Sequence, residues 1–224
     1  FFGTPEFALT ILEGLDREHQ VVAVVTQPDK PKGRQLKLTP SPVKVWAVKK
    51  RLPLAQPENL QTESFKAFLA SLNWEVGVVA AYGRIIPKWL LEMPPYGFIN
   101  IHASLLPKYR GAAPIQRAIL NGEALTGVTI MQMDAGLDTG SILMQKAVTV
   151  NNKNAGQLSE ELSQVGALLI NKTLAQLLKG KAVPVKQKEE LATLAPPIKK
   201  EELLIDWRQP ATVIKRKVQA FAPQ

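Results

Sequence analysis

Apolar residues recur along this chain with two different periods, and the alternation between them predicts its architecture. Val21-Val22-Ala23-Val24-Val25, Glu75 to Ala81 and Gly97 to Ile101 are short apolar runs rich in β-branched residues, the pattern of strands buried on both faces. A helix precedes the first of them, with Phe7, Leu9, Ile11, Leu12 and Leu15 on its apolar side. Its predicted start has Thr4 as N-cap, Pro5 at the first helical position and Glu6 at the positive end of the dipole. Helical spacing returns over Val43 to Arg51, Glu63 to Leu72 and Ala113 to Leu120. It is longest from Ala155 to Leu178, where Gly180 supplies the stop. Two more strands, Gly127 to Met133 and a run ending near Val150, flank a turn from Asp134 to Gly140 that contains two glycines. Residues 27–42, with four prolines, one glycine and several lysines, read as a long surface loop.

Strands that alternate with helices predict an α/β fold of Rossmann-like type: a mostly parallel twisted sheet covered by helices on both faces. Ligands bind such sheets in the crevice at the carboxyl ends of the strands. Asn100 and His102 fall at one such end, and Asp134 to Asp138 follow directly after another strand. Past Val185 the composition shifts, with Ala195-Pro196-Pro197 and Lys199-Lys200-Glu201-Glu202 ahead of an amphipathic stretch from Pro210 to Phe221. The organisation read from this is a catalytic domain over 1–182, a linker over 183–203 and the start of a second domain over 204–224. Both ends look cut: Phe1-Phe2-Gly3 is already the end of a strand, and Gln224 closely follows a helical pattern.

Composition removes several classes of function. A chain of 224 residues accommodates one substantial domain plus an appendage. No apolar run approaches the length that crosses a bilayer, so no membrane association is expected. With no cysteine and only two histidines, disulfides, a thiolate nucleophile and a zinc site of standard spacing are excluded, and no metal is expected. The first βα turn, Gly3-Thr4-Pro5, lacks the dinucleotide-binding glycine pattern; a phosphate-binding P-loop is missing, and Ser104 has no nucleophile-elbow context. The net charge of +9 is concentrated: Lys30, Lys32, Arg34, Lys37, Lys44, Lys49, Lys50 and Arg51 occur with no acidic residue among them. A proline-stiffened cationic loop suits phosphates, which reward lysine and arginine through counterion release.

What survives is acyl-type chemistry without metal or covalent nucleophile. Side chains at i and i+2 of a strand share a face, so Asn100 and His102 present an amide donor and a titratable imidazole to one space. A carboxylate from elsewhere could orient that imidazole. Asp138 is available, although an Asp in a Gly-rich turn is equally explained by turn chemistry.

Several segments resemble a known family: Phe2-Gly3-Thr4-Pro5-Glu6-Phe7-Ala8, Thr26-Gln27-Pro28-Asp29-Lys30, Asn100 to Gln116 and Gly127 to Gly140. They are similar to the methionyl-tRNA formyltransferases, a branch of the 10-formyltetrahydrofolate-dependent formyltransferases. The Asn-x-His-x-Ser-Leu-Leu-Pro element marks the whole superfamily; the basic loop around Lys30-Pro31-Lys32-Gly33-Arg34 looks specific to the tRNA-directed branch. The resemblance implies formyl transfer from 10-formyltetrahydrofolate, a co-substrate, to the α-amino group of methionyl initiator tRNA. By it, Asn100, His102 and Asp138 are the catalytic candidates, with Asp138 orienting His102. Ser104, Leu105, Leu106 and Pro107 would lie against the folate, as would Arg84 and Ile86 in a neighbouring pterin-binding wall. Arg34, Lys30, Lys32 and Lys37 would meet the tRNA. The residues after Pro197 would begin a truncated C-terminal β-barrel domain. A monomer in the cytoplasm, bacterial or organellar, is the implied setting. The alternative is another folate-dependent formyltransferase or hydrolase that acts on a small-molecule amine.

Overall fold

The computed structural model describes residues 1–32 and 37–222. It divides into two compact units, Phe1–Ile101 and His102–Gln224.

In the first unit, β1 (Phe2–Gly3) leads into α1 (Glu6–Asp16), and the chain returns as β2 (Val24–Val25). An antiparallel pair follows, β3 (Lys30–Lys32) and β4 (Lys37–Thr39), registering Lys30 with Thr39 and Lys32 with Lys37. Then come α2 (Pro42–Lys49), β5 (Leu54–Ala55), α3 (Glu63–Ala70), β6 (Gly77–Ala80), the short α4 (Lys88–Leu91) and β7 (Phe98–His102). The order β5-β2-β1-β6-β7 is parallel throughout, with Phe2 between Val25 and Val79, and Asn100 beside Val79. All of β6 and β7 is buried, which requires cover on both faces. Phe2 stands edge-on to Tyr82 and to Phe98, and Trp74 edge-on to Phe98. Such ring pairs contribute about 0.5–1.5 kcal/mol each beyond their buried area.

The second unit contains α5 (Pro114–Leu120), the antiparallel strands β8 (Leu125–Gln132) and β9 (Ile142–Thr149), α6 (Ala155–Leu178) and α7 (Ala211–Phe221). Asn154 and Gln157 form a reciprocal capping box at the start of α6. Leu158, Leu162, Leu169, Ile170 and Leu174 form its buried stripe, which packs on β8 and β9. Gly180, at φ +63°, ends it. Helix α7 lies against α5.

The parallel sheet, its buried strands and the long helix match the sequence expectations. Four local expectations do not. Thr4 makes no cap: the N-cap position falls on Pro5, and the Thr4 hydroxyl donates to the Tyr82 carbonyl at 3.2 Å instead. The strand predicted over 21–25 is regular only at Val24–Val25. Residues 27–42 are not simply a loop, since β3 and β4 pair within them; a run of lysines and prolines lacks the apolar alternation that announces a strand. Strand β5 and helix α4 were not anticipated, being two and four residues long. Helix α2 begins as its sequence suggests, one residue early, with the Ser41 hydroxyl accepting from Lys44 N at 3.0 Å.

Candidate active site

Asn100 and His102 point to the same side of β7 and are both buried, at 9% and 6% exposure. His102 lies past the last registered pair of β6 and β7, where the strand runs into the loop 103–113. Its Nε2 is 2.8 Å from the Tyr109 carbonyl oxygen. A carbonyl can only accept, so Nε2 carries the hydrogen, and the neutral ring keeps its lone pair at Nδ1. That nitrogen faces Asp138 Oδ2 at 3.6 Å. The structure therefore brings His102 and Asp138 together and decides which ring nitrogen can take up a proton.

Asp138 comes from the turn after β8 and adopts φ +52°. The left-handed region is unusual for any residue but glycine, Asn or Asp. Its Oδ2 accepts from Gly111 N at 2.8 Å. Gly111 itself sits at φ +120°, and a Cβ there would stand 2.8 Å from the Ala195 carbonyl oxygen. Glycine is thus demanded twice over, by backbone angle and by space.

The Ser104 to Pro107 turn is held from inside. Ser104 is fully buried and its hydroxyl donates to the Lys108 carbonyl at 2.6 Å. The Thr129 hydroxyl on β8 donates to the Ser104 carbonyl at 2.7 Å and accepts from Leu106 N at 3.0 Å. Gln145 on β9 donates to both the Leu106 carbonyl and Thr129 Oγ1, at 2.8 Å each. Sequence reasoning missed Thr129 and Gln145. The available signal was a hydroxyl inside the otherwise apolar run Val128-Thr129-Ile130-Met131, since a buried polar group has to find a partner.

The other candidates fall in the first unit. The Arg84 guanidinium donates to the carbonyls of Pro57 and Glu58 at 2.9 and 2.5 Å. Ile86 is buried at 4% exposure while Ile85 is 87% exposed. Lys30 donates to Gln27 Oε1, and Lys37 is exposed at the start of β4. Lys32 takes part in the β3–β4 pairing, and Arg34 lies outside the described residues. Lys44 pairs with Asp29 at 2.7 Å, and Gln56 donates to the same carboxylate at 2.8 Å. Those two contacts hold the Asp29 carboxyl below its ordinary range. Part of the cationic charge read from the sequence is therefore already paired at the base of the hairpin. Among the described residues no cluster of three or more histidines or carboxylates could hold a metal ion, and no helix is long and apolar enough to cross a membrane.

A family profile described as formyl transferase matches residues 1–174, and one described as formyl transferase, C-terminal domain, matches residues 197–224. The chain belongs to the formyl transferase family. Its relatives in that family include the methionyl-tRNA formyltransferase of Dictyoglomus turgidum, 49% identical across all of this chain and 72% of the relative. That of Thermodesulfovibrio yellowstonii is 51% identical, again over the whole chain and 73% of the relative. In fold, the chain is similar to an N-formyltransferase from Helicobacter canadensis solved in complex with folinic acid and dTDP-3-aminofucose. The TM-score is 0.73 at 22% identity, over 98% of this chain and 78% of that one. The family and fold implied by the Asn100 to Pro107 and Gly127 to Gly140 segments are thereby borne out.

Proposed function

We propose that the protein transfers the formyl group of 10-formyltetrahydrofolate to the α-amino group of methionyl initiator tRNA. About half identity along the entire chain to methionyl-tRNA formyltransferases carries this reading. In it, Ser104 to Pro107, with Arg84 and Ile86, line the folate, and Lys30, Lys32, Arg34 and Lys37 meet the tRNA phosphates. The protein works as a cytoplasmic monomer and uses no metal.

The chemistry follows from the groups. The amine nitrogen attacks the formyl carbon, and negative charge develops on the formyl oxygen. The Asn100 amide N–H is the donor for that oxygen, fixed on a buried strand where little reorganisation is needed. The nitrogen, made cationic by the attack, must lose a proton, and the folate nitrogen must gain one as its bond to the formyl carbon breaks. His102 Nδ1 handles this transfer, because Nε2 is committed to the Tyr109 carbonyl. A proton received at Nδ1 lies beside the Asp138 carboxylate.

Incubation with 10-formyltetrahydrofolate and methionyl-tRNA tests the reading, with an amino sugar nucleotide and glycinamide ribonucleotide as rival acceptors. Formylation of the aminoacyl-tRNA alone is the expected result. Equal or faster formylation of a small amine, or release of formate only, would overturn it.

A further inference from the structure

Residues 185–195 are stitched to the loops around His102 and Asp138 at five successive points. Val185 exchanges both backbone hydrogen bonds with Ile142 at 2.8 Å. Thr193 accepts from Tyr109 N through its hydroxyl at 2.9 Å and from Arg110 N through its carbonyl at 2.9 Å. Ala195, fully buried, accepts from Ala113 N at 3.1 Å and donates to the Arg110 carbonyl at 2.6 Å. Glu189 forks onto Arg110, with both oxygens 2.8 Å from the guanidinium.

The remaining point is Gln187, 4% exposed and using both ends of its amide. Its Nε2 donates to the carbonyls of Asp138 and Gly140, each at 2.8 Å. Its Oε1 accepts from Arg110 Nε and Nη2 at 3.1 and 2.9 Å. Glu189 keeps the Arg110 guanidinium firmly protonated against the cost of its burial. A chain of contacts thus runs from Glu189 through Arg110 and Gln187 to the backbone of Asp138.

Asp138 is held from two directions. Its carboxylate is fixed by Gly111 N–H, and its carbonyl by Gln187. A non-glycine residue at φ +52° persists only where its surroundings over-determine it. A surface linker has no need of a fully satisfied buried amide, whereas a turn that must aim a carboxylate at an imidazole does.

We propose that Gln187 is a positioning residue for formyl transfer. It sets the Asp138 turn so that the carboxylate faces His102 Nδ1, and the strap 185–195 steadies the Tyr109 carbonyl that fixes the other ring nitrogen. The proposal rests on the reading of His102 and Asp138 as a working pair.

The test uses Gln187→Leu, which removes the amide's donors and acceptor at similar volume, beside Asp138→Asn, in the whole 224-residue chain. The kcat and KM for methionyl-tRNA and 10-formyltetrahydrofolate are measured with the melting temperature. Imidazole nitrogen resonances are recorded as well, since only His19 and His102 contribute. For Gln187→Leu, kcat is expected to fall about tenfold, as small misplacements near reacting groups cost that much or more, with KM within twofold. The His102 signals move in the direction they take in Asp138→Asn, while those of His19 stay in place. Unmoved His102 signals, or a kcat within twofold of wild type, would overturn the proposal. If Gln187→Leu does not fold, Glu189→Gln takes its place; Glu189 is 64% exposed, and loosening Arg110 there must move the same His102 signals or the proposal fails. Full turnover by Asp138→Asn would instead sink the reading of the His102–Asp138 pair.

Discussion

The loop around His102 and the Lys30–Thr39 hairpin both present polar groups, by opposite means. At the loop, hydrogen bonds from backbone and side chains set each position: Tyr109 O on His102, Gly111 N on Asp138, Thr129 and Gln145 on the Ser104–Pro107 turn. At the hairpin, Lys30 and Lys37 are exposed, and the anchoring ion pair, Lys44 with Asp29, lies in the flanking sequence. Directional hydrogen bonds at set positions lose their effect when an atom moves by an ångström. Exposed charges add up, tolerate movement and are screened by salt. Variants at the first region should therefore show large, local, salt-insensitive losses; variants at the second should show small losses that depend on salt.

The largest expected effect is at the buried end. Asn100→Ala removes the proposed oxyanion donor and should lower kcat by about 2.7–4 kcal/mol of barrier, on the order of a hundredfold to a thousandfold. Single-turnover formylation of methionyl-tRNA at two salt concentrations measures it, and the factor should be the same at both. Near-full turnover would take Asn100 out of the chemistry. Next is Gly111→Ala, which forces a side chain to φ +120° and against the Ala195 carbonyl. It should destabilise the fold by about 1–3 kcal/mol, the range for backbone strain at one residue. A urea midpoint equal to wild type would mean that the strap and the loop separate readily.

The placement of Asn100 and His102 on one strand shows what could be read in advance. Asn100 and His102 were legible because a two-residue strand period and an unbroken apolar run are local signals. So was α6, with its stripe and its stop at Gly180. The second anchor of Asp138 was not legible. Gln187 reaches Asp138 across 49 positions and Arg110 across 77, and a stretch of lysines, prolines and single apolar residues looks like any linker. Contacts made largely through backbone atoms leave little trace in residue type. Thr4 failed for a related reason: its hydroxyl accepts from Gln27 N at 3.5 Å and donates to the Tyr82 carbonyl, 23 and 78 positions away.

The hairpin end of the comparison predicts gentler behaviour. Lys37→Ala should reduce the slope of log affinity against log salt for tRNA by about one, the signature of a lost phosphate contact. Arg34→Ala should lower turnover on the tRNA while sparing folate binding. Affinity for 10-formyltetrahydrofolate should stay at its wild-type value in both. A matching loss of folate affinity would mean that the hairpin belongs to the folate site, and the division between the two regions would collapse.

The smallest expected effect lies where the two strategies combine, just beyond the strap. Arg117 donates to the carbonyls of Pro196 and Pro197 and makes a paired contact with Glu202 at 2.5 and 3.0 Å. The Arg117 guanidinium, with help from Lys199 N–H, pulls the Glu202 carboxyl from an ordinary 4.5 to about 2. A carboxyl depressed in the folded state stabilises that state above its unfolded pKa and loses the contribution as pH falls through the folded one. The stability gap between wild type and Glu202→Gln should be constant above pH 4.5 and close between there and pH 2. Because the pair is only half-buried, salt should narrow the gap as well. Urea midpoints for the two proteins across that window decide the matter. A gap that ignores both pH and salt would place Glu202 with the geometric anchors of the His102 loop; one that answers to both would place it with the hairpin.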